Sequence, residues 1–451
     1  MSPVLMSSAN TAWECAFPAR APLMPRMGGR RLESGGEEAL WRKEAAERRA
    51  GKTVAYVHVP FCSNRCLFCN FYRNPTRSPY LDDYGDLVAR EIENDAREGA
   101  IGSGRIHAVY LGGGTPTDLD ARSLAAVLEA LRRHLPLAND CEITVEGRIW
   151  GFGEDKIEAC LDHGANRFSL GIQSFDTALR RAMGRKLDRR EVETFFREFT
   201  RRDAAAVVCD LIYGLPGQTE ESWLRDVEIL AGLGLDGADL YCYTKLADSP
   251  LARAIESGRM CAEAPVHQQA RWFVAAAGFL TRAGWRHISS AHFAATTRER
   301  NLYNQLTKAG AQGLAFGAGA AGGTRSYNFV NAPSLEAYAQ AVGSGRKPIA
   351  FLAAAPATER TRTAITAGIE SGRLDLHSLS GFEPAHRDAA AELARKWEAG
   401  GLLDFDGRVL RLTPAGRFWH TNLTTALLAL LDPAEPSSGA PHHHHRSRMT
   451  A

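Results

Sequence analysis

Apolar runs alternate with amphipathic stretches from Val54 to about Cys242. The runs at 54–59, 106–111, 142–146, 167–172, 206–212 and 238–243 read as strands. Between them the spacing turns helical: Leu124, Val127, Leu128, Leu131 and Leu135 fall on one face. Thr219 suits an N-cap, with Glu220 and Glu221 in the first turn ahead of Leu224, Val227 and Leu230. Strand–helix alternation at this spacing predicts an α/β fold with a parallel sheet and right-handed crossovers. Six such units suit a partial (β/α)6 TIM-type barrel better than a closed eightfold one. Pattern alone leaves a doubly wound sheet open.

Past about Ala355 the pattern changes. Residues 384–401 read as a helix with Leu393 and Trp397 on one side, stopped by Gly400-Gly401. Asp406-Gly407 between short apolar runs signals a hairpin, and a helical pattern follows from about Ala415 to Leu431. Helix, hairpin and helix resemble a winged-helix-like accessory module, mostly helical. It carries little clustered basic charge, so packing or covering a substrate suits it better than binding DNA. The expected division is a disordered or loosely packed segment at 1–48, a core barrel at 49–280, a substrate-side extension at 281–355, an accessory module at 356–432 and a disordered tail at 433–451.

Composition narrows the class. With 451 residues the chain holds one large domain and a smaller one, and 45% hydrophobic content supports a sizeable core. A net charge of +2 gives no global field favouring nucleic acid. Nine cysteines without an export signal fit a reducing cytoplasm. Arg30-Arg31 is not followed by the apolar stretch of a twin-arginine signal, and no apolar run reaches a membrane-spanning length. His442–His445 lie in a Pro/Ser/Gly-rich tail.

Cys62, Cys66 and Cys69 supply three thiolates from one short loop that leaves the strand at 54–59. Three clustered cysteines cannot all pair as disulfides, and a structural zinc ion would need a fourth ligand from His58 or a distant cysteine. A cubane iron–sulfur cluster takes a thiolate on each iron, so three local thiolates predict a cluster with one iron open to a small molecule. Gly112–Thr117 ends the next strand, where consecutive glycines let a backbone approach a ligand. Glu146, Gln173 and Asp210 belong to later strands, with Arg185 just beyond one of them. A surface salt bridge is the plainer reading of Glu146 alone; together these residues line successive strand ends, where barrel ligands bind.

The cysteine spacing with Tyr56 and Phe68 resembles the radical S-adenosylmethionine (SAM) superfamily. Within it, Tyr56–Cys62, Gly112–Thr117, Glu146, Gly171–Phe175, Gly184-Arg185 and Asp210–Gly217 resemble the anaerobic coproporphyrinogen dehydrogenase-like branch. The resemblance implies a [4Fe-4S] cluster on Cys62, Cys66 and Cys69 and two SAM molecules. Tyr56, Gly113 and Glu146 would contact the SAM on the cluster; Phe68, Gly114, Thr115, Gln173, Arg185 and Asp210 would contact the second.

Two departures point to the subfamily. Phe71 stands where the dehydrogenase has a further cysteine, and Glu146-Gly147-Arg148 replaces the Asn-Pro-bearing motif of the heme chaperones. Residues 69–75, 146–148, 155–160, 297–304 and 314–320 are instead similar to the anaerobic heme-degrading radical SAM methyltransferases. That resemblance implies a cytoplasmic class C methyltransferase with heme as substrate and a flavodoxin- or ferredoxin-type electron donor. A 5′-deoxyadenosyl radical would take hydrogen from the second SAM's methyl group. The resulting methylene would add to a heme meso carbon, and the ring would open to a linear tetrapyrrole with release of iron. A heme chaperone and an oxygen-independent coproporphyrinogen III dehydrogenase are the alternatives.

The segment from His287 to Gly323 is the expected bearer of substrate-specific chemistry. His292 is a candidate heme ligand, proton donor or hydrogen-bonded core histidine. Arg298 and Arg300 have the guanidinium fork that suits propionates, or simply start a charged helix. Gly317–Gly323 is expected to let the backbone approach a cofactor or flat ligand.

Overall fold

The computed structural model describes residues 13–22, 30–32, 36–47, 49, 51–69, 73–97, 104–247 and 249–431. Its centre is a run of six strands: β1 (Thr53–Val59), β2 (Ile106–Gly113), β3 (Leu137–Gly147), β4 (Arg167–Gln173), β5 (Ala206–Tyr213) and β6 (Gly237–Cys242). Each pairs parallel with the next, so sheet order follows chain order. A doubly wound sheet reverses direction at a switch point. This one does not, and the partial barrel is the arrangement observed. Helices return the chain between strands, among them Ala121–His134 and Glu220–Ala231. In the first, Leu124, Val127, Leu128 and Leu131 are buried and the Asp120 side chain accepts from the Ser123 amide. In the second, Thr219 and Ser222 form a reciprocal capping box.

The segment after the barrel strands extends both edges of the sheet. β7 (His292–Ala294) runs antiparallel to β6, while β8 (Gln312–Phe316) runs parallel to β1. Antiparallel β9 (Ala321–Gly323), β10 (Tyr327–Asn331) and β11 (Ile349–Ala354) continue outward from β8. The chain between β7 and β8 is not on the periphery. Its short helix Leu302–Lys308 places Tyr303 4.9 Å from the Tyr110 ring of β2 and 6.3 Å from that of Tyr56 of β1. Both carboxylate oxygens of Glu142 accept the first amides of this helix, from Leu302 at 3.0 Å and Tyr303 at 3.1 Å. This plug closes the barrel below the strand ends that carry the cysteine loop.

Past residue 358, helices Glu359–Ser371 and Pro384–Ala399 flank a small three-stranded sheet. Its hairpin Leu403–Phe405/Val409–Leu412 turns through Gly407 at φ 88°. The helix expected from about Ala415 to Leu431 divides into Pro414–Phe418 and His420–Leu428. Between them Trp419 is fully buried, and its indole donates to the Trp13 carbonyl at 2.6 Å. Within the described parts of 1–48, Phe17 lies 5.3 Å from Trp419, Trp41 is buried, and Arg31 pairs with Ala353 of β11. Scattered aromatic residues anchor this stretch without a periodic pattern. The tail at 433–451, with His442–His445, lies outside the described residues. Among the described residues no helix is long and apolar enough to cross a membrane.

Candidate active site

The cysteine loop leaves the C-terminal end of β1 and is held from three sides. Asp118, just after the glycine run, accepts from the Ser63 amide at 2.7 Å and the Ser63 hydroxyl at 3.2 Å. Arg148, just after β3, donates to Asp118 at 2.6 Å and also reaches Ser63 and Asn64. Across the loop, Asn64 donates to the Gly184 carbonyl at 2.8 Å and the Leu67 amide to Met183 at 3.3 Å. Neither Asp118 nor Ser63 stands out in the sequence, and Arg148 stands out only within the Glu146-Gly147-Arg148 departure. A buried ion pair whose two members also bond Ser63 and Asn64 ties the cysteine loop to its neighbours.

The glycine run works by absence. A Cβ on Gly112 would stand 2.7 Å from the Glu146 carboxylate, and one on Gly114 2.5 Å from the Phe61 carbonyl. Gly113 has φ 112°, against the His58 ring. Three chain segments therefore meet at closer range than side chains allow. Thr115 follows, with its Oγ1 3.3 Å from Cys62 Sγ. Tyr56, on β1, has its hydroxyl 2.9 Å from His58 Nδ1.

Gln173 ends β4 at φ 70°, where the β4–β5 register shifts. A non-glycine residue in this region costs roughly 1–3 kcal/mol and persists where surroundings impose it. Its Oε1 and the Arg185 Nε are buried without a hydrogen-bond partner among the described residues. A Cβ on Gly171 would come 2.8 Å from the Gln173 amide, so the glycine makes room for it. Arg185 lies 5.6 Å from the Phe68 ring centroid. Burial lowers its pKa, while Cys66, Cys69 and Cys62 act in the opposite sense. Cys62, Cys66, Cys69, Phe68, Thr115, Gln173 and Arg185 thus share one rim.

These residues fit an iron–sulfur cluster. Burial pushes the Cys62 thiol up to about 11, offset in part by Thr115 and Arg148. Metal binding would deprotonate such thiols and leave net negative charge, for which Arg148 and Arg185 are neighbouring cations. Among the described residues no three His, Cys, Asp or Glu side chains are grouped to hold a single ion. Cubane ligands bind three different irons and stand farther apart than the ligands of one. Arg148→Ala should leave the fold intact and lower iron retained per chain severalfold after gel filtration. Iron content equal to the parent would show that the Arg148 clamp is dispensable.

Below the rim the barrel interior is charged. Burial pushes the Glu146 carboxyl up to about 7, against hydrogen bonds from Tyr110 and the Gly113 amide. Asp210 of β5 is pushed up to about 8 by burial and by Asp239 and Glu146, and accepts from Ser169 at 3.1 Å. Both side chains are only half-buried by surface, because they face the barrel mouth.

His292 does not reach that mouth. It is fully buried, with Nδ1 3.0 Å from Asp239 and Nε2 3.0 Å from Glu299. Neither N–H lies in line for a hydrogen bond, so the attraction is ionic. The two carboxylates raise its pKa to about 9 against burial, which alone would lower it. Both ring nitrogens face anions, which leaves no lone pair for a heme iron. Arg298 and Arg300 sit at the opposite end of the barrel, Arg298 paired with Asp203 and the Ala205 carbonyl before β5, Arg300 with Asp140 early in β3. They begin the plug rather than face a propionate. Gly317 approaches the protein itself: its Cβ would lie 2.4 Å from the His58 carbonyl and 2.8 Å from the Tyr84 hydroxyl.

Comparison with known proteins follows the same lines. Residues 56–230 match the family model described as the radical SAM superfamily. The chain is 42% identical over 381 residues to an anaerobilin synthase of Escherichia coli O157:H7, covering 84% of each protein. It is 29% identical over 420 residues to an oxygen-independent coproporphyrinogen III oxidase of Bradyrhizobium diazoefficiens, covering 89% of this chain and 91% of that one. A heme chaperone, HemW of Bacillus subtilis, is 27% identical over 278 residues, covering 61% of this chain and 72% of that one. The solved coproporphyrinogen III oxidase of Escherichia coli shares the fold, with TM-score 0.75 and 24% identity over 91% of this chain and 96% of that one.

Proposed function

The chain belongs to the radical SAM superfamily, on the anaerobilin synthase side of it, and we propose that it degrades heme without oxygen by transferring a SAM-derived carbon to the macrocycle and opening it. The observation that carries this reading is the 42% identity across most of both chains, together with a rim that gathers the cysteines, Gln173 and Arg185. The cluster and SAM, when bound, supply one-electron radical chemistry. The chain's own part is placement.

Cys62, Cys66 and Cys69 would hold the cluster; Tyr56, Gly113 and Glu146 would hold the SAM on it. Phe68, Gly114, Thr115, Gln173, Arg185 and Asp210 would hold a second SAM with its methyl group toward heme. Position matters because a misplacement of ~1 Å costs about a hundredfold in rate. The strained Gln173 backbone and the glycine-lined contacts favour one fixed geometry. A flavodoxin- or ferredoxin-type protein of the cytoplasm would supply the electron. The dehydrogenase reading loses its further cysteine to Phe71, which lies outside the described residues.

The test is anaerobic turnover of heme with methyl-labelled SAM, followed by mass spectrometry of the tetrapyrrole. A linear product carrying the label is expected. A ring-opened product without label would overturn the transfer. Heme that stays spectrally unchanged would favour the chaperone, and protoporphyrinogen formed from coproporphyrinogen would favour the dehydrogenase.

A further inference from the structure

Besides Glu142, which accepts the first amides of the plug helix, four carboxyl groups and two cations share the barrel interior: Glu146, Asp210, Asp239 and Glu299 against Arg167 and His292. Arg167 holds Glu299 at 3.0 Å; Glu299 faces His292 Nε2 at 3.0 Å, and His292 Nδ1 faces Asp239 at 3.0 Å. This row uses both cations and two of the acids. Glu146 and Asp210 are left over, nearer the mouth.

Asp210 and Asp239 are register partners on neighbouring parallel strands. Register partners project to the same face about 5 Å apart, so the two carboxyls stand side by side. Their circumstances differ. Asp239 has the imidazolium in contact; Asp210 has one neutral donor, the Ser169 hydroxyl at 3.1 Å. The other groups facing Asp210 are Glu146 of β3, Arg167 of β4, Tyr110 of β2 and Tyr241 of β6, with Cys209 adjacent in the chain. Arg167 donates its Nε to Glu299; its Nη2 has no hydrogen-bond partner among the described residues, and its charge opposes the rise of Asp210.

We propose that Asp239, kept ionised by His292, holds Asp210 protonated in the ligand-free protein, so that a cationic ligand arriving at Asp210 displaces one proton to solvent. This rests on the reading of Asp210 as a contact of the second SAM, whose sulfonium and ammonium groups supply the cation. His292 and Asp239 are then positioning residues: they touch no ligand and act through Asp210.

The electrostatic directions agree with the geometry. Asp239 is held below the usual carboxylate range, against burial, chiefly by His292, whereas burial first, then Asp239 and Glu146, push Asp210 up to about 8. Below that pH the free protein carries the proton, and a bound cation draws the group's pKa down. Binding at pH 7 therefore releases the proton, and affinity rises with pH until about 8, then levels.

The experiment is calorimetric titration of SAM into the cluster-reconstituted full chain, in buffers of contrasting ionisation enthalpy. At pH 7 the parent should release close to one proton per chain more than Asp210→Asn, and at pH 9 this difference should vanish. Asp239→Asn should bind two SAM and release a smaller fraction of that proton, since burial and Glu146 still raise the Asp210 carboxyl. Equal release by the parent and Asp210→Asn at pH 7, or release undiminished in Asp239→Asn, would overturn the proposal. The site assignment fails separately, and the proposal with it, if Asp210→Asn binds SAM with parental stoichiometry and affinity at both pH values. SAM binding weakened in Asp210→Asn without a proton difference overturns the proposal alone. Should Asp239→Asn not fold, the parent at pH 7 against pH 9, referenced to Asp210→Asn, decides the question.

Discussion

Alanine at Cys62, Cys66 or Cys69 should abolish 5′-deoxyadenosine formation, each substitution alone lowering it by more than a hundredfold. The three thiols come from one loop, and each would bind a different iron, so none can substitute for another. The chain offers an internal control in its other cysteines. Cys141 and Cys160 are buried, and burial pushes both thiols up to about 12. Both belong to the hydrophobic core rather than to the cysteine loop, so Cys160→Ala should keep full iron content and activity at a small cost in stability. Iron and sulfide analysis with the visible spectrum would be read beside the 5′-deoxyadenosine yield. Parental yield from any of the three loop variants would refute the assignment of the cluster to this loop.

Much of this architecture was legible because its signals are local. The six barrel strands are short apolar runs and appear within a few residues of where they were expected; β3 is longer, starting at Leu137. Thr219 caps its helix as read, and Asp406-Gly407 turns the hairpin. The triplet of cysteines and the strand-end residues were legible for the same reason. What escaped depends on partners distant in sequence. A buried charge and an exposed one look alike in a sequence until the counter-charge is known. The sequence leaves Arg298 and Arg300 open between propionate contacts and a charged helix start, and His292 between heme ligand, proton donor and core histidine; Asp203 and Asp140 beside the arginines, and Asp239 and Glu299 beside the histidine, decide between them. Asp118 lay next to a recognised motif, but its meaning came only from Ser63 and Arg148 folding onto it. The packing of Phe17 and Trp41 likewise depends on elements hundreds of residues away.

The same principle makes Lys347→Met the substitution expected to destabilise the fold most for a residue outside the site. Lys347 is buried and donates to Glu91 at 2.8 Å, Asp95 at 2.6 Å and the Ala315 carbonyl at 2.8 Å. Glu91 in turn accepts from the Gly317 amide, the Tyr338 hydroxyl and the Asn331 side chain. Methionine keeps most of the volume and removes the charge, leaving two carboxyls buried without their cation. Breaking a buried ion pair from one side costs about 3–5 kcal/mol. Asp95 already stands at about 7, raised by burial, with Lys347 the chief influence drawing it down. Without Lys347 its folded pKa climbs further above the unfolded value, so the folded variant binds a proton the unfolded chain does not. Stability then falls as pH rises, and the deficit against the parent should shrink between pH 8 and pH 6. A cavity or a packing defect would not change with pH. The damage should also reach the active site, because the Gly317 turn that Glu91 holds rests on the His58 carbonyl, four residues before Cys62. Denaturant midpoints at the two pH values, with iron content measured on the same samples, give the test. A deficit independent of pH would show that the charge on Lys347 is not what stabilises this corner of the fold.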